Sequence, residues 1–221
     1  MLAEPALLGS VLQGDLDLAT RLDLAIAMAG ELAALHERGV IHRALQPIHI
    51  RVDVPTRRAW ITESETGTIG LPYLAPEQTG RMNRAVDSRT DLYVLGVILY
   101  EMFAATLPWS ASSPAEWMHS HVARRPAAMP DTVPSGLAAI VEKLLAKSPD
   151  DRYQTAAGLQ ADLVRARDTH RTGDIAPFPL GEHDLPQRLH PPGTTYGRAD
   201  PLRRLAGALD RVAASGMPEL V

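Results

Sequence analysis

Eight histidines, two lysines and no cysteine bound the chemistry open to this chain. Without cysteine there is no thiolate nucleophile, thiolate metal site or disulfide. His36-Glu37 begins like a zinc-protease helix, but the second histidine of that motif belongs at Val40, and the chain places it at His42. His119 and His121 lie two apart on a predicted helix, on different faces, and read as surface residues. No Gly-x-Ser-x-Gly is present for a serine hydrolase. No lysine follows a phosphate-cradling Gly-x-x-x-x-Gly; Lys143 and Lys147 stand four apart on one predicted helix. The pairs Arg124-Arg125 and Arg203-Arg204 read as solvated faces. Two further histidines, His42 and His49, share the stretch Val40-Ile41-His42-Arg43-Ala44-Leu45-Gln46-Pro47-Ile48-His49-Ile50.

The elements that must position these residues follow from patterning. Asp91 to Phe103 is apolar all round except at Asp91 and Glu101, so it predicts a helix buried on every side. It is too short for a membrane span, which needs roughly 20 residues. Ser88 with Asp91 has capping-box spacing, and Pro108 ends the run. Residues 3–12 read as a short helix. Leu18 to Glu37 reads as a long one, with Leu22, Leu24, Ile26, Met28, Leu32 and Leu35 on its apolar face and Gly39 as its stop. Ile48–Val52 and Ala59–Thr62 read as strands of a hairpin. Glu63 to Arg89 is irregular. Ser113-Pro114-Ala115-Glu116 opens another helix, Leu137 to Leu145 has helical periodicity, and Thr155 begins a further helix. High Pro and Gly density over 172–200 predicts a linker, after which Asp200-Pro201 starts a last helix.

With 221 residues, 45% hydrophobic and 22% charged, the chain can hold one sizeable core. A net charge of −4 provides no basic field for nucleic acid. Met1-Leu2-Ala3-Glu4-Pro5 lacks the basic and apolar regions of a signal peptide, so the expected location is cytoplasmic, without membrane attachment.

In its setting, between a long helix and a hairpin, Val40 to Ile50 resembles the catalytic loop of a protein kinase, whose pattern is His-Arg-Asp-Leu-Lys-Pro-x-Asn-Ile. Ala75-Pro76-Glu77 resembles the end of a kinase activation segment, Asp91 with Gly96 the Asp-x-x-x-x-Gly of the central helix, and Asp151-Arg152-Tyr153 the late arginine that pairs with Glu77. The resemblance implies a mainly α (α+β) fold over 1–171: a kinase-like C-lobe of about six helices around a buried central helix, with a short β-hairpin. It further implies that His42 and the backbone at Arg43 are tied to Asp91, and that Glu77 and Arg152 form an ion pair. A narrower resemblance, carried by Glu77 to Arg84, Pro177-Phe178-Pro179-Leu180-Gly181 and Tyr196-Gly197-Arg198, is to multi-sensor proteins in which a kinase-like domain precedes a signalling ATPase. On it, 201–221 is the truncated start of that ATPase, without its phosphate loop.

The positions that carry phosphoryl transfer depart from the family pattern. Ala44 stands for the catalytic Asp, Gln46 for the Lys, and His49 for the metal-binding Asn, while Glu63 stands for the metal-binding Asp. A methyl group accepts no proton, and Mg²⁺ prefers oxygen to imidazole nitrogen in near-ideal octahedral geometry. No Gly-x-Gly-x-x-Gly occurs, and neither lysine lies upstream of the loop, so the N-terminal lobe is expected to be absent. The expectation is a pseudokinase fragment that binds neither ATP nor Mg²⁺. It would act as a regulatory or interaction module toward other signalling proteins, such as a sensor histidine kinase or ATPase. The alternative is an atypical serine/threonine kinase whose nucleotide lobe comes from another chain.

Overall fold

The computed structural model describes residues 5–12, 14–62 and 69–185. Six α-helices and a small antiparallel sheet form among them, in the order β1 (Ala6–Leu7), α1 (Leu8–Val11), α2 (Leu18–Glu37), β2 (Ile50–Asp53), β3 (Arg58–Ile61), α3 (Ser88–Ala104), α4 (Pro114–Val122), α5 (Ser135–Leu144) and α6 (Ala156–His170). This is the mainly helical architecture the sequence predicts.

Helix α3 is the axis. From Thr90 to Tyr100 every residue is buried, and α2, α5 and the single turn Leu71–Tyr73 pack against it. A helix without a polar face must be enclosed in this way. Its N-cap differs from the expected Ser88: the Asp87 carboxylate accepts from Arg89 N at 2.9 Å, which frees Asp91 to point inward. At its end Ala105 turns left-handed (φ 57°). Helix α2 is capped by Asp17, which accepts from Thr20 N at 2.6 Å, and it lies between α6 and the sheet.

In the hairpin, Ile50 pairs with Ile61 and Asp53 with Arg58. Ile50 and Val52 face inward while Arg51 faces out, following the two-residue period of a strand. The sequence reads 3–12 as helix, but the structure adds Ala6–Leu7 to the hairpin as a third strand and keeps only one helical turn after it. Two residues are too few to show a strand period. Their backbone pairing with Arg51 and Val52 decides the matter.

The linker expected over 172–200 begins as something else. Ile175 is fully buried and its carbonyl accepts from Gly136 N at 2.9 Å. Gly181 N donates to Asp162, and Asp184 accepts from the backbone of Gln154 and Thr155. As far as Asp184, proline and glycine shape a segment docked on α5 and α6. Residues 186–221, which hold the rest of the expected linker and the expected ATPase start, lie outside the described residues. Among the described residues no helix is long and apolar enough to cross a membrane.

Gly96 sits where α3 meets the end of α5, and a Cβ there would stand 2.6 Å from Leu144 Cβ. That neighbour is held by its own helix and cannot swing away. Gly96→Ala gains about 1 kcal/mol in helix propensity, but overpacking costs about 1–3 kcal/mol. The expected net outcome is a melting temperature a few degrees lower by calorimetry; an unchanged or higher value would show that the helices part without cost.

Candidate functional site

The loop from Val40 to Ile50 leaves α2 through Gly39, whose φ of 75° closes the helix with its N–H on the His36 carbonyl. It is then gripped by one carboxylate. Asp91, fully buried on the first turn of α3, accepts from His36 Nε2 (2.9 Å) and His42 N (2.8 Å) through Oδ2, and from Arg43 N (2.8 Å) through Oδ1. Arg43 holds φ 62°, the left-handed region that costs a non-glycine residue roughly 1–2 kcal/mol. Hydrogen bonds to a charged group are worth about 1.5–3 kcal/mol each and offset that strain. The Gln78 amide nitrogen reaches back to the Arg43 carbonyl at 2.6 Å, while its oxygen accepts from Ala75 N at 3.0 Å. One side chain thus ties the loop to Ala75-Pro76-Glu77.

Inside the loop, the sites of expected chemistry are occupied by other contacts. Ala44 is buried and contributes a methyl group. Its carbonyl accepts from His49 Nδ1 at 2.7 Å, which leaves Nε2 of that ring as the lone-pair nitrogen. His42 donates from Nε2 to the Thr62 carbonyl (2.9 Å) and accepts the Ala44 N–H at Nδ1 (3.3 Å), so both its nitrogens are committed. The Gln46 side-chain oxygen accepts from Gly70 N at 2.9 Å. Glu63 lies outside the described residues. The three described positions therefore present a methyl, an amide and an imidazole, with no hard carboxylate ligand for Mg²⁺. Among the described residues no three His, Asp or Glu side chains gather as a metal site.

Glu77 and Arg152 meet in a two-pronged pair, Nη1–Oε1 at 2.8 Å and Nη2–Oε2 at 3.0 Å, with 4% and 1% of each residue exposed. All five guanidinium N–H groups find acceptors: Nε on Ala146 O, Nη1 also on Arg89 O, Nη2 also on Lys147 O. Thr90 Oγ donates to Glu77 Oε1 at 2.7 Å, so the pair is anchored to α3 as well.

His121 departs from the sequence reading. It is fully buried, donates from Nε2 to the Leu71 carbonyl at 2.9 Å and accepts at Nδ1 from the Tyr93 hydroxyl at 3.2 Å. Trp109 and Trp117 pack on its ring. His119 stays exposed, as expected of both histidines. Burial, with the Lys147 charge adding to it and the bond to Leu71 opposing, pushes the imidazole down to about 4. Lys147 donates to Ser120 O at 3.0 Å and lies 4.3 Å over the Trp109 ring. Burial and then Arg152 bring its amine down to about 8. Tyr73 donates to Glu101 at 2.7 Å, and its burial raises the phenol well above its usual range. The roles of His36, Gln78 and His121 are not legible in the sequence because their partners come from elements far along the chain. The nearest signal is the place of His36, the penultimate residue of α2, shortly before the loop.

The sequence model of the protein kinase domain matches residues 16–164. The chain is 34% identical to the hybrid signal transduction histidine kinase G of Dictyostelium discoideum over 168 residues, 65% of this chain and 5% of that protein. It is 36% identical to the serine/threonine-protein kinase PknB of Mycobacterium tuberculosis over 148 residues, 59% of this chain and 23% of that protein. It is 32% identical to the serine/threonine-protein kinase PksC of Streptomyces coelicolor over 185 residues, 72% of this chain and 32% of that protein. The chain thus spans at most about a third of the length of these relatives.

Two outcomes follow from the buried groups. Arg152→Ala strands the Glu77 carboxylate and costs on the order of 3–5 kcal/mol, whereas replacing both partners by apolar residues costs less. Melting curves should rank the double variant Glu77→Leu/Arg152→Met above the single Arg152→Ala; the reverse order would mean the pair contributes net attraction. For His121 the folded pKa lies below the ordinary 6.5, so the unfolded chain takes up a proton first and stability falls as pH drops from about 6.5 toward 4. The loss of stability between pH 7 and pH 4.5 should be smaller in His121→Gln than in the native chain. Equal losses would exclude this histidine as its source.

Proposed function

Because the chain belongs to the protein kinase family, we propose that it works as a kinase-like regulatory or interaction module in signal transduction, without phosphoryl transfer of its own. The observation that carries this reading is the contrast within one loop. Asp91 holds the loop in its strained shape through two backbone N–H groups, yet the residue at the position of the family's catalytic Asp is the buried methyl of Ala44. Phosphoryl transfer needs a group to orient the acceptor hydroxyl, metal ions on the phosphates, and cations or amides to stabilise the spreading charge. Ala44 cannot orient a hydroxyl. Gln46 is neutral, and its oxygen is turned to Gly70 N. His49 presents nitrogen where Mg²⁺ favours oxygen. Nowhere in the 221 residues does a Gly-x-Gly-x-x-Gly or a Gly-x-x-x-x-Gly-Lys occur to cradle phosphate.

The scaffold round this loop is kept at some cost. A strained Arg43, a buried carboxylate and a buried ion pair persist only where the surroundings over-determine them. In a domain without its chemistry they keep a surface in shape, which suits recognition. The named relatives include two serine/threonine kinases and a hybrid signal transduction histidine kinase. On this reading the partners are other signalling proteins, among them a sensor histidine kinase or ATPase.

The purified chain, incubated with Mg²⁺ and γ-labelled ATP and a general protein acceptor, should incorporate no label above a no-protein blank. Calorimetry should detect no binding of Mg·ATP at micromolar concentrations. Combining Ala44→Asp, Gln46→Lys, His49→Asn and Glu63→Asp should leave it inactive, because positioning and electrostatic stabilisation of the phosphates supply nearly all of this catalysis. Autophosphorylation by the native chain would overturn the proposal.

A further inference from the structure

The segment that follows α6 is built into the lobe through contacts that reach the Glu77–Arg152 pair. Thr172 to Asp174 turn the chain back, and Ile175 enters the core. A Cβ at Gly136 would stand 2.5 Å from the Ala176 carbonyl oxygen, so the backbone of the segment occupies space that only glycine leaves free. Arg165 stacks 4.5 Å over the Phe178 ring and pairs with Glu182 at 2.7 Å. Gly181 N donates to Asp162 at 2.7 Å, and the same carboxylate oxygen receives the Tyr153 hydroxyl at 2.6 Å. Asp184 ends the segment on the turn before α6, accepting from Gln154 N (2.6 Å), Thr155 N (2.8 Å) and Thr155 Oγ1 (2.8 Å). Its side chain fills the space where a Cβ at Gly158 would sit.

The turn that Asp184 grips is the turn that carries Arg152. Gln154, whose N–H is held, also accepts from Arg89 Nη1 and donates to the Arg152 carbonyl. Two residues away the Arg152 guanidinium holds Glu77, and the next residue, Gln78, holds the Arg43 carbonyl. Hydrogen bonds joined by single-residue covalent links thus run from Asp184, near the last described residue of the chain, to the Val40–Ile50 loop.

We propose that residues 174–184 are a latch that sets the position of Arg152, so that pulling the latch away loosens Ala75–Gln78 and its hold on Arg43. A downstream segment or a bound partner that displaces the latch would alter the loop surface without touching the loop.

The test is amide exchange followed by NMR in the full chain. Asp184→Asn removes the charge from the Gln154 and Thr155 amides, and their exchange should quicken about tenfold by local opening. The amides of Ala75 and Gln78, which bond to Gln78 Oε1 and Ala75 O, should quicken by a similar factor, while those of α2 between Leu22 and Leu35 keep their rates. Arg165→Gln, which loosens the latch only at the exposed Glu182 and at Phe178, should give the same pattern at smaller amplitude. Faster exchange confined to Gln154 and Thr155, or an equal rise throughout α2, would overturn the proposal.

Discussion

The Asp91 carboxylate is the constraint on which the rest of the site depends. It sits fully buried at the start of a helix that has no solvent face, and it satisfies itself on His36 and on two consecutive backbone amides of a loop more than forty residues upstream. A buried charge without such partners would be far too costly to keep. Its requirement for donors therefore dictates the path of the loop and the left-handed turn at Arg43. The loop takes this shape with no more than a methyl group at position 44. Form and chemistry are separable here because backbone amides set the form and side chains would set the chemistry.

The Glu77–Arg152 pair does a different kind of work. Replacing a buried ion pair by apolar residues is often neutral or stabilising, so its worth lies in placement rather than net energy. With five N–H donors each matched to an acceptor, and Thr90 adding a bond to the carboxylate, the guanidinium has one position available. It also lies 4.7 Å over the Tyr93 ring, which fixes its plane. In this way the end of the 69–79 segment, the first turns of α3 and the turn before α6 share one reference point.

Much of this was legible in the sequence. The bounds of α2 and the burial of α3 follow from helical periodicity and from the absence of a polar face, both of which depend on neighbours in sequence. The hairpin was legible for the same reason. The Ala6–Leu7 strand was not, because a two-residue edge pairing leaves no pattern. Spacing alone points to Ser88 as the cap of α3, but Asp91 is drawn inward by the loop amides and Asp87 takes the cap. The sequence around His121 reads as surface; what buries it is the aromatic wall of Trp109, Trp117 and Tyr93, assembled from two helices and a connection. The Pro and Gly residues over 172–184 signalled irregular backbone correctly, yet irregular backbone can be docked as well as free. Composition does not tell the two apart, whereas Gly136 and Gly158 on the receiving helices do.

Against twenty arginines the chain carries two lysines, and both are parked on aromatic rings: Lys143 lies 5.4 Å over Tyr153 and Lys147 lies 4.3 Å over Trp109. The positive charge of the surface is therefore almost wholly guanidinium, which stays protonated and does not act as a nucleophile at neutral pH. To reagents and enzymes that acylate side-chain amines, from cross-linkers to the machinery of isopeptide conjugation, the protein offers two addresses. Both are half-buried against their rings, so amine chemistry on the lobe is confined to two partly covered positions while most of its positive charge lies outside the reach of such chemistry.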